Sequence, residues 1–285
     1  MDERTTAMLE VLRGLPAHTL TATMRNPRSE AERTFTGARL FDYAAATGLT
    51  RVGGEGLTDG YLLVTAADGQ RVAIALAELW PSMASKPLLL AYEQDGAPVR
   101  DGVRLVVTGD HLSGRSLGGV VAIEGRRAAP ASGVDVPSGG LALGGLLERP
   151  GVLDAAALGA QATFAVETAP MTGHGGEAIA PRRYLGARLY DLLDGAGIRL
   201  DPAVHEDFLS KVVVATTVDG RAVVIAGGEI EPRFMAGDVV VATGRSNGSP
   251  AVDGASGAEL RLVVPFDLKP GRWAKQLVSI ELREG

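Results

Sequence analysis

The sequence contains no cysteine, so disulfides, thiolate-held metals, CxxC redox chemistry and cysteine nucleophiles are excluded together. It has no apolar run near the ~18 residues that cross a bilayer. Its start, Met1-Asp-Glu-Arg-Thr-Thr, lacks the basic opening and apolar stretch of a secretory leader. No membrane partner is expected, and the chain as it stands reads as cytoplasmic; a trimmed leader would make it periplasmic or extracellular. Positive charge is also scarce. Lys and Arg number 28 against 34 Asp and Glu, a net charge of −6, which is the wrong sign for a general phosphate-backbone binder. No nucleic-acid partner is expected. Gly-x-Ser-x-Gly, P-loop and GxGxxG motifs are missing from the strand-to-helix context they require. His18, His111, His174 and His205 include no i, i+4 pair that would put two metal ligands on one helix face.

What the chain has is length and glycine. Its 285 residues are about twice the ~100–150 of a typical domain, and its 38 glycines are nearly double the usual ~7%, which favours two modules rich in turns and short strands. Self-comparison supports two modules. Phe35-Thr-Gly37-Ala-Arg39-Leu40-Phe41-Asp42-Tyr43 recurs as Tyr184-Leu-Gly186-Ala-Arg188-Leu189-Tyr190-Asp191-Leu192, displaced by 149. Val64–Leu79 around Asp68-Gly69 recurs as Val214–Ile230 around Asp219-Gly220, displaced by 151. Arg104-Leu-Val-Val107 and Gly114-Arg115 recur as Arg261-Leu-Val-Val264 and Gly271-Arg272, displaced by 157. Offsets that grow slowly in one order predict two tandem copies of one α+β fold, residues 1–127 and 141–285, joined by a Pro/Gly/Ala linker over 128–140. The first copy lacks the opening strand Leu141–Gly145, so it is either shortened or lent a strand by the second.

Apolar residues at helical spacing predict short helices over Arg39–Ala46 and Arg188–Leu193, stopped by Gly48 and Gly197. Tyr61–Ala66, Arg71–Ala75, Lys211–Thr217 and Ala222–Ala226 predict two hairpins turning at Asp-Gly. Further strands are expected at Leu88–Tyr92, Val103–Val107, Val239–Ala242, Leu260–Val264 and Gln276–Leu282.

The order of these pieces, found twice, resembles the sulfite-oxidase-type molybdopterin-binding domain, with small, cysteine-less pterin-binding relatives the nearest likeness. The resemblance spans roughly 8–126 and 141–283 and implies a mixed sheet with short helices. It also implies a molybdenum-binding cysteine after the first long strand, followed by Asn and Arg. The stretch from His18 through Asn26 and Arg28 to Glu30 resembles that region, but neither copy supplies the cysteine, and a hard or neutral side chain cannot replace a soft thiolate. Molybdenum oxidoreductase activity is therefore not expected.

The resemblance further implies that the pterin phosphate is gripped by the Gly-Arg loop. In the second copy this is Asp267, Gly271, Arg272, Trp273 and Lys275; in the first it is Asp110, Gly114, Arg115 and Ser116, with Gly118 in place of the lysine. Arginine can grip an oxyanion bidentately, lysine adds a point charge, and tryptophan offers a ring face. Bland alternatives stand beside each. Arg115 and Arg272 can pair with Asp110 and Asp267, Trp273 can be packing, Gly37 and Gly186 can serve close helix packing, and Asp68 and Asp219 suit turns. His111, beside Asp110, is the best acid–base candidate or else a solvated loop residue, and Met171–Gly176 is either a lid or a long loop. The expectation is a non-catalytic binder of a pterin or molybdopterin-like anionic small molecule without molybdenum, a monomer with a pseudo-twofold or a weak homodimer, whose second site is the stronger. The alternatives are an enzyme with a repurposed cleft for another flat anion, using His111, Asp110 and Arg115, or an interaction scaffold with vestigial sites.

Overall fold

Four apolar strands that turn in pairs at Asp-Gly form the middle of the molecule, and their sequences are apolar throughout because both of their faces are buried. The structure, a computed structural model, describes residues 3–52, 57–83, 86–168, 170–172, 176–234, 238–245 and 259–285. The first half contains α1 (Glu3–Arg13), β1 (His18–Asn26), β2 (Ser29–Arg39), α2 (Leu40–Ala46), β3 (Gly60–Ala66), β4 (Arg71–Ala75) and α3 (Leu76–Leu79). It continues with β5 (Leu88–Gln94), β6 (Ala97–Pro98), β7 (Arg104–Val107) and β8 (Val120–Arg127). The second half opens with β9 (Leu141–Gly145), β10 (Gly151–Leu153), α4 (Ala155–Gln161), β11 (Phe164–Glu167), β12 (Met171–Thr172), β13 (Ala178–Ile179) and β14 (Arg183–Arg188). It closes with α5 (Leu189–Gly195), β15 (Lys211–Thr217), β16 (Ala222–Ala226), α6 (Gly227–Ile230), β17 (Val240–Arg245), β18 (Arg261–Val263) and β19 (Leu277–Glu284). Strands dominate and the helices are short, a mixed α+β architecture.

The sheets are open. In the first half β4-β3-β8 forms one sheet, and β1-β2-β5-β6, with β7 also on β5, forms another. In the second half these are β10-β9-β19-β15-β16 and β11-β14-β17-β18. Both hairpins turn on glycines with positive φ, Gly69 and Gly220, and the Asp68 and Asp219 carboxylates accept the backbone N–H groups of Gln70 and Arg221. These aspartates are turn residues.

Alternation along the central strands divides the core. Leu62, Val64, Val72 and Ile74 face the first half's own core, whereas Val213, Ala215, Val223 and Ile225 face the second's. The intervening residues, Tyr61, Leu63, Ala73 and Ala75 with Val212, Val214, Ala222, Val224 and Ala226, form one cluster between the two sheets. The small side chains let those sheets approach closely.

Gly37 and Gly186 do not serve helix packing. Each sits at a register shift in the pairing of β2 with β5 or of β14 with β17, where a Cβ would lie 2.1 Å from the Leu90 or Val241 carbonyl oxygen. The expected opening strand β9 pairs with β10 and β19, so among the described residues it stays in its own half. Residues 128–140 contain neither helix nor strand, yet they are tied down: Ala131 N–H donates to Thr216 Oγ1 at 2.9 Å, and Arg283 donates to the Ala129 carbonyl at 2.6 Å.

Candidate functional site

Arg115 and Arg272 lie on matching single turns at 113–115 and 270–272, and neither is exposed at all. Arg272 donates from Nε and Nη2 to Asp267 at 3.0 and 2.6 Å and from Nη1 to Glu229 at 2.6 Å. Arg115 repeats this with Asp110 at 2.7 and 2.8 Å and Glu78 at 2.8 Å. Burial opposes both guanidinium charges, but the facing carboxylates outweigh it and raise the pKa of each. The two arginines expected to grip a ligand are thus occupied by structural ion pairs, the bland alternative for this spacing.

Neighbouring candidates are used for packing as well. A Cβ on Gly114 would meet the Phe234 ring at 2.3 Å, and one on Gly271 would meet Met83 at 2.6 Å; each glycine lets a side chain of the opposite half lie over the loop. The backbone answers in kind, with His111 N–H donating to the Phe234 carbonyl at 2.7 Å and Leu268 N–H to the Met83 carbonyl at 2.5 Å. Ser116 Oγ accepts the Val107 N–H at 3.0 Å. The Trp273 indole is 5% exposed and donates to the Val264 carbonyl at 2.9 Å, so most of the ring is packed rather than open for stacking. His111 is exposed while Asp110 is buried against Arg115, and these residues do not form an open acid–base site. Asn26 and Arg28 belong to the turn of the β1–β2 hairpin, where Asn26 Oδ1 accepts the N–H groups of Arg28 and Ser29 at 2.9 and 3.0 Å. His174 and much of the expected lid lie outside the described residues.

A cavity of about 490 Å³ opens beside the second Gly-Arg loop, lined by Arg182, Arg221, Arg261, Pro270, Trp273, Lys275, Gln276, Thr217, Asp219 and Ile179. Four of these side chains are basic and one is acidic. Lys275 is exposed. Arg261 is 4% exposed, its Nη1 donating to the Tyr184 hydroxyl at 3.0 Å, while its Nε is buried without a hydrogen-bond partner among the described residues. A hydrogen bond from Thr217 holds the Asp219 carboxyl below its ordinary range, so it stays ionised and partly offsets the cations.

The first half has a counterpart of about 610 Å³, lined by Arg33, Gln70, Arg104, Ser113, Ser116 and Asn26, and also by His205, Arg233 and Phe234 of the second half. Three of its cations are paired, Arg33 with Asp95 at 3.2 Å, Arg25 with Glu30 at 2.8 Å and Arg233 with Glu206 at 2.8 Å. Arg104, the equivalent of Arg261, likewise has a buried Nε without a hydrogen-bond partner among the described residues.

Sequence reasoning missed Glu78, Glu229, Arg182 and Arg221 and gave Arg261 only as a repeat marker. Glu78 and Glu229 carry a usable signal, since they stand at matching places, displaced by 151, at the end of apolar strands, and a carboxylate is rarely buried without a partner. Among the described residues no three His, Cys, Asp or Glu gather in a metal-binding group; with no thiolate in the chain, the residues do not fit molybdenum.

No protein-family model and no curated protein matches this chain. Among solved structures it is similar to the sulfane dehydrogenase SoxCD from Paracoccus pantotrophus, at 20% sequence identity and a TM-score of 0.39, over 58% of this chain and 43% of that one. The likeness is distant, and the chain spans less than half the length of the protein it matches.

Proposed function

We propose that this protein is a non-catalytic binder of a pterin or molybdopterin-like anion without molybdenum, built from two tandem copies of one sulfite-oxidase-type pterin-binding fold. Support for the duplication comes from equivalent register shifts: Thr65/Ala66 between β3 and β8 against Thr216/Thr217 between β15 and β19, and Thr36/Gly37 against Leu185/Gly186. The observation that carries the ligand class is the basic cavity of the second half with the orphaned Arg261 Nε in its wall. A buried donor left unpaired costs about 1–3 kcal/mol, which an accepting anion would recover. Lys275, with Gly118 in its place in the first half, favours the second cavity as the tighter site, and the buried Asp110–Arg115 pair gives no support to an enzyme built on those residues.

Calorimetric titration with a pterin carboxylate and with inorganic phosphate tests this reading. Saturable binding is expected, with Lys275→Ala weakening the tighter site about tenfold, the loss of one charge-assisted contact, and Arg104→Ala leaving that site unchanged. No binding of either probe, together with no pterin released on denaturing fresh protein, would overturn it.

A further inference from the structure

Four carboxylates and three cations converge where α3, α6 and the loops after β7 and β18 meet. Glu78 and Glu229 are 1% and 0% exposed, and each is held by the arginine of its own half. Asp110 and Asp267 take the remaining arms of Arg115 and Arg272, and Lys86 adds the third cation, 2.5 Å from Asp110 and 3.8 Å from Glu78. The cluster crosses the seam: the Glu78 charge acts on Glu229 and the Glu229 charge on Arg115 of the other half, and a Cβ on Gly228 would strike the Arg115 side chain at 2.1 Å. From the 207–210 turn and β15, which pack nearby, Asp207 and Lys211 close on each other at 2.7 Å and on the exposed Glu284. The seam therefore holds one more carboxylate than cations, although each of the four lies against at least one cation. One oxygen, Glu78 Oε2, is buried and has no donor among the described residues. Two neighbouring buried carboxylates do not both ionise without a compensating charge.

We infer that Glu229 is a proton-binding site, holding a proton in the folded protein because this buried cluster has more carboxylates than cations, and that losing this proton as pH rises weakens the seam between the halves. Burial lifts the Glu229 carboxyl to about 7, with Arg272 pulling down and Glu78 pushing up. A folded-state pKa above that of the unfolded chain gives a contribution fully present below the ordinary glutamate range and lost as pH climbs through about 7. The loops that carry Arg115 and Arg272 also line the two cavities, through Ser113 and Ser116 on one side and Pro270 and Trp273 on the other. Proton release would consequently reach both cavities. This inference stands whether or not either cavity binds a pterin.

The test is infrared spectroscopy of the whole protein paired with denaturant titration from about pH 5.5 to about 8.5. A protonated-carboxyl band that shifts in heavy water is expected at the acid end and should vanish at the alkaline end, a signal histidine cannot give. The folding equilibrium constant should fall by up to about tenfold per pH unit up to about pH 7 and level off above it, and Glu229→Gln, which mimics the protonated form, should remove both the band and most of that fall. Should Glu229→Gln not fold, the wild-type band decides alone, and Glu78→Gln, which removes the charge that pushes Glu229 up, is expected to move the loss of the band to lower pH. Absence of the band in wild type at the acid end, or a fall undiminished in the folded glutamine variant, would overturn the inference.

Discussion

A buried guanidinium cannot shed its proton and must place its five N–H donors on acceptors. Arg115 and Arg272 place theirs on two carboxylates each, so every partner depends on the cation for its own solvation. Replacing Arg272 with Ala would leave Asp267 and Glu229 buried without a counter-charge. Such a loss costs about 3–5 kcal/mol, measurable as a lower denaturant midpoint, and Arg272→Lys should recover only part because an ammonium cannot engage Asp267 through two arms. The loss should shrink towards acid pH, since burial already raises the Asp267 pKa and protonation would discharge it once its cation is gone. A loss below about 1 kcal/mol would show that water reaches the site. At this scale the sequence displayed the Asp–Arg pairs through their five-residue spacing, but not their burial. Nothing local in Asp267 to Arg272 reveals that α6 brings Glu229 onto the same guanidinium, because that contact depends on how the two sheets pack.

Elements were most legible where both neighbours on a strand are apolar and a turn residue ends the run. β4, β15 and β16 have the bounds read from their residues, and β3 differs by one. The β1–β2 hairpin was missed although β1 alternates: Leu20, Ala22 and Met24 pack on one face while Thr19 faces Thr36 and Thr21 faces Thr34 on the other, because the largely polar β2 does not continue the pattern. α3 and α6, four residues each, are too short for any helical period. Their position at the ends of β4 and β16 is nonetheless what delivers Glu78 and Glu229 to the seam. The bulge glycines make this scale testable. Gly37→Ala and Gly186→Ala should each cost about 1–3 kcal/mol, since the neighbouring strand's carbonyl must move, while Gly159→Ala, inside α4 with nothing within 4 Å of its Cβ, should stabilise by about 0.5–1 kcal/mol. Equal effects at all three sites in unfolding titrations would mean that sheet spacing does not limit these positions.

Across the whole molecule the recurring motifs were readable in the sequence and the seam was not. A linker over 128–140 suggests two bodies on a tether, whereas the structure interleaves them. Phe234 and Leu209 of the second half lie in the core of the first, strand residues from both halves build one shared cluster, and Val224 N–H donates to the Thr58 carbonyl at 2.7 Å across the join. A half separated from its partner would expose that cluster along with part of a buried ion network, so neither half should retain its structure once the other unfolds. Calorimetry of the full chain should therefore show one transition with equal calorimetric and van 't Hoff enthalpies. Phe234→Ala removes a ring that is 1% exposed and fills the space over Gly114; it should destabilise by about 3–5 kcal/mol while keeping a single transition, because the central cluster and the salt-bridge seam still join the halves. Two resolved transitions in the unmodified protein would mean that the seam is a docking contact between independently stable domains, and the fall in stability expected as pH rises to about 7 would then belong to docking rather than to folding.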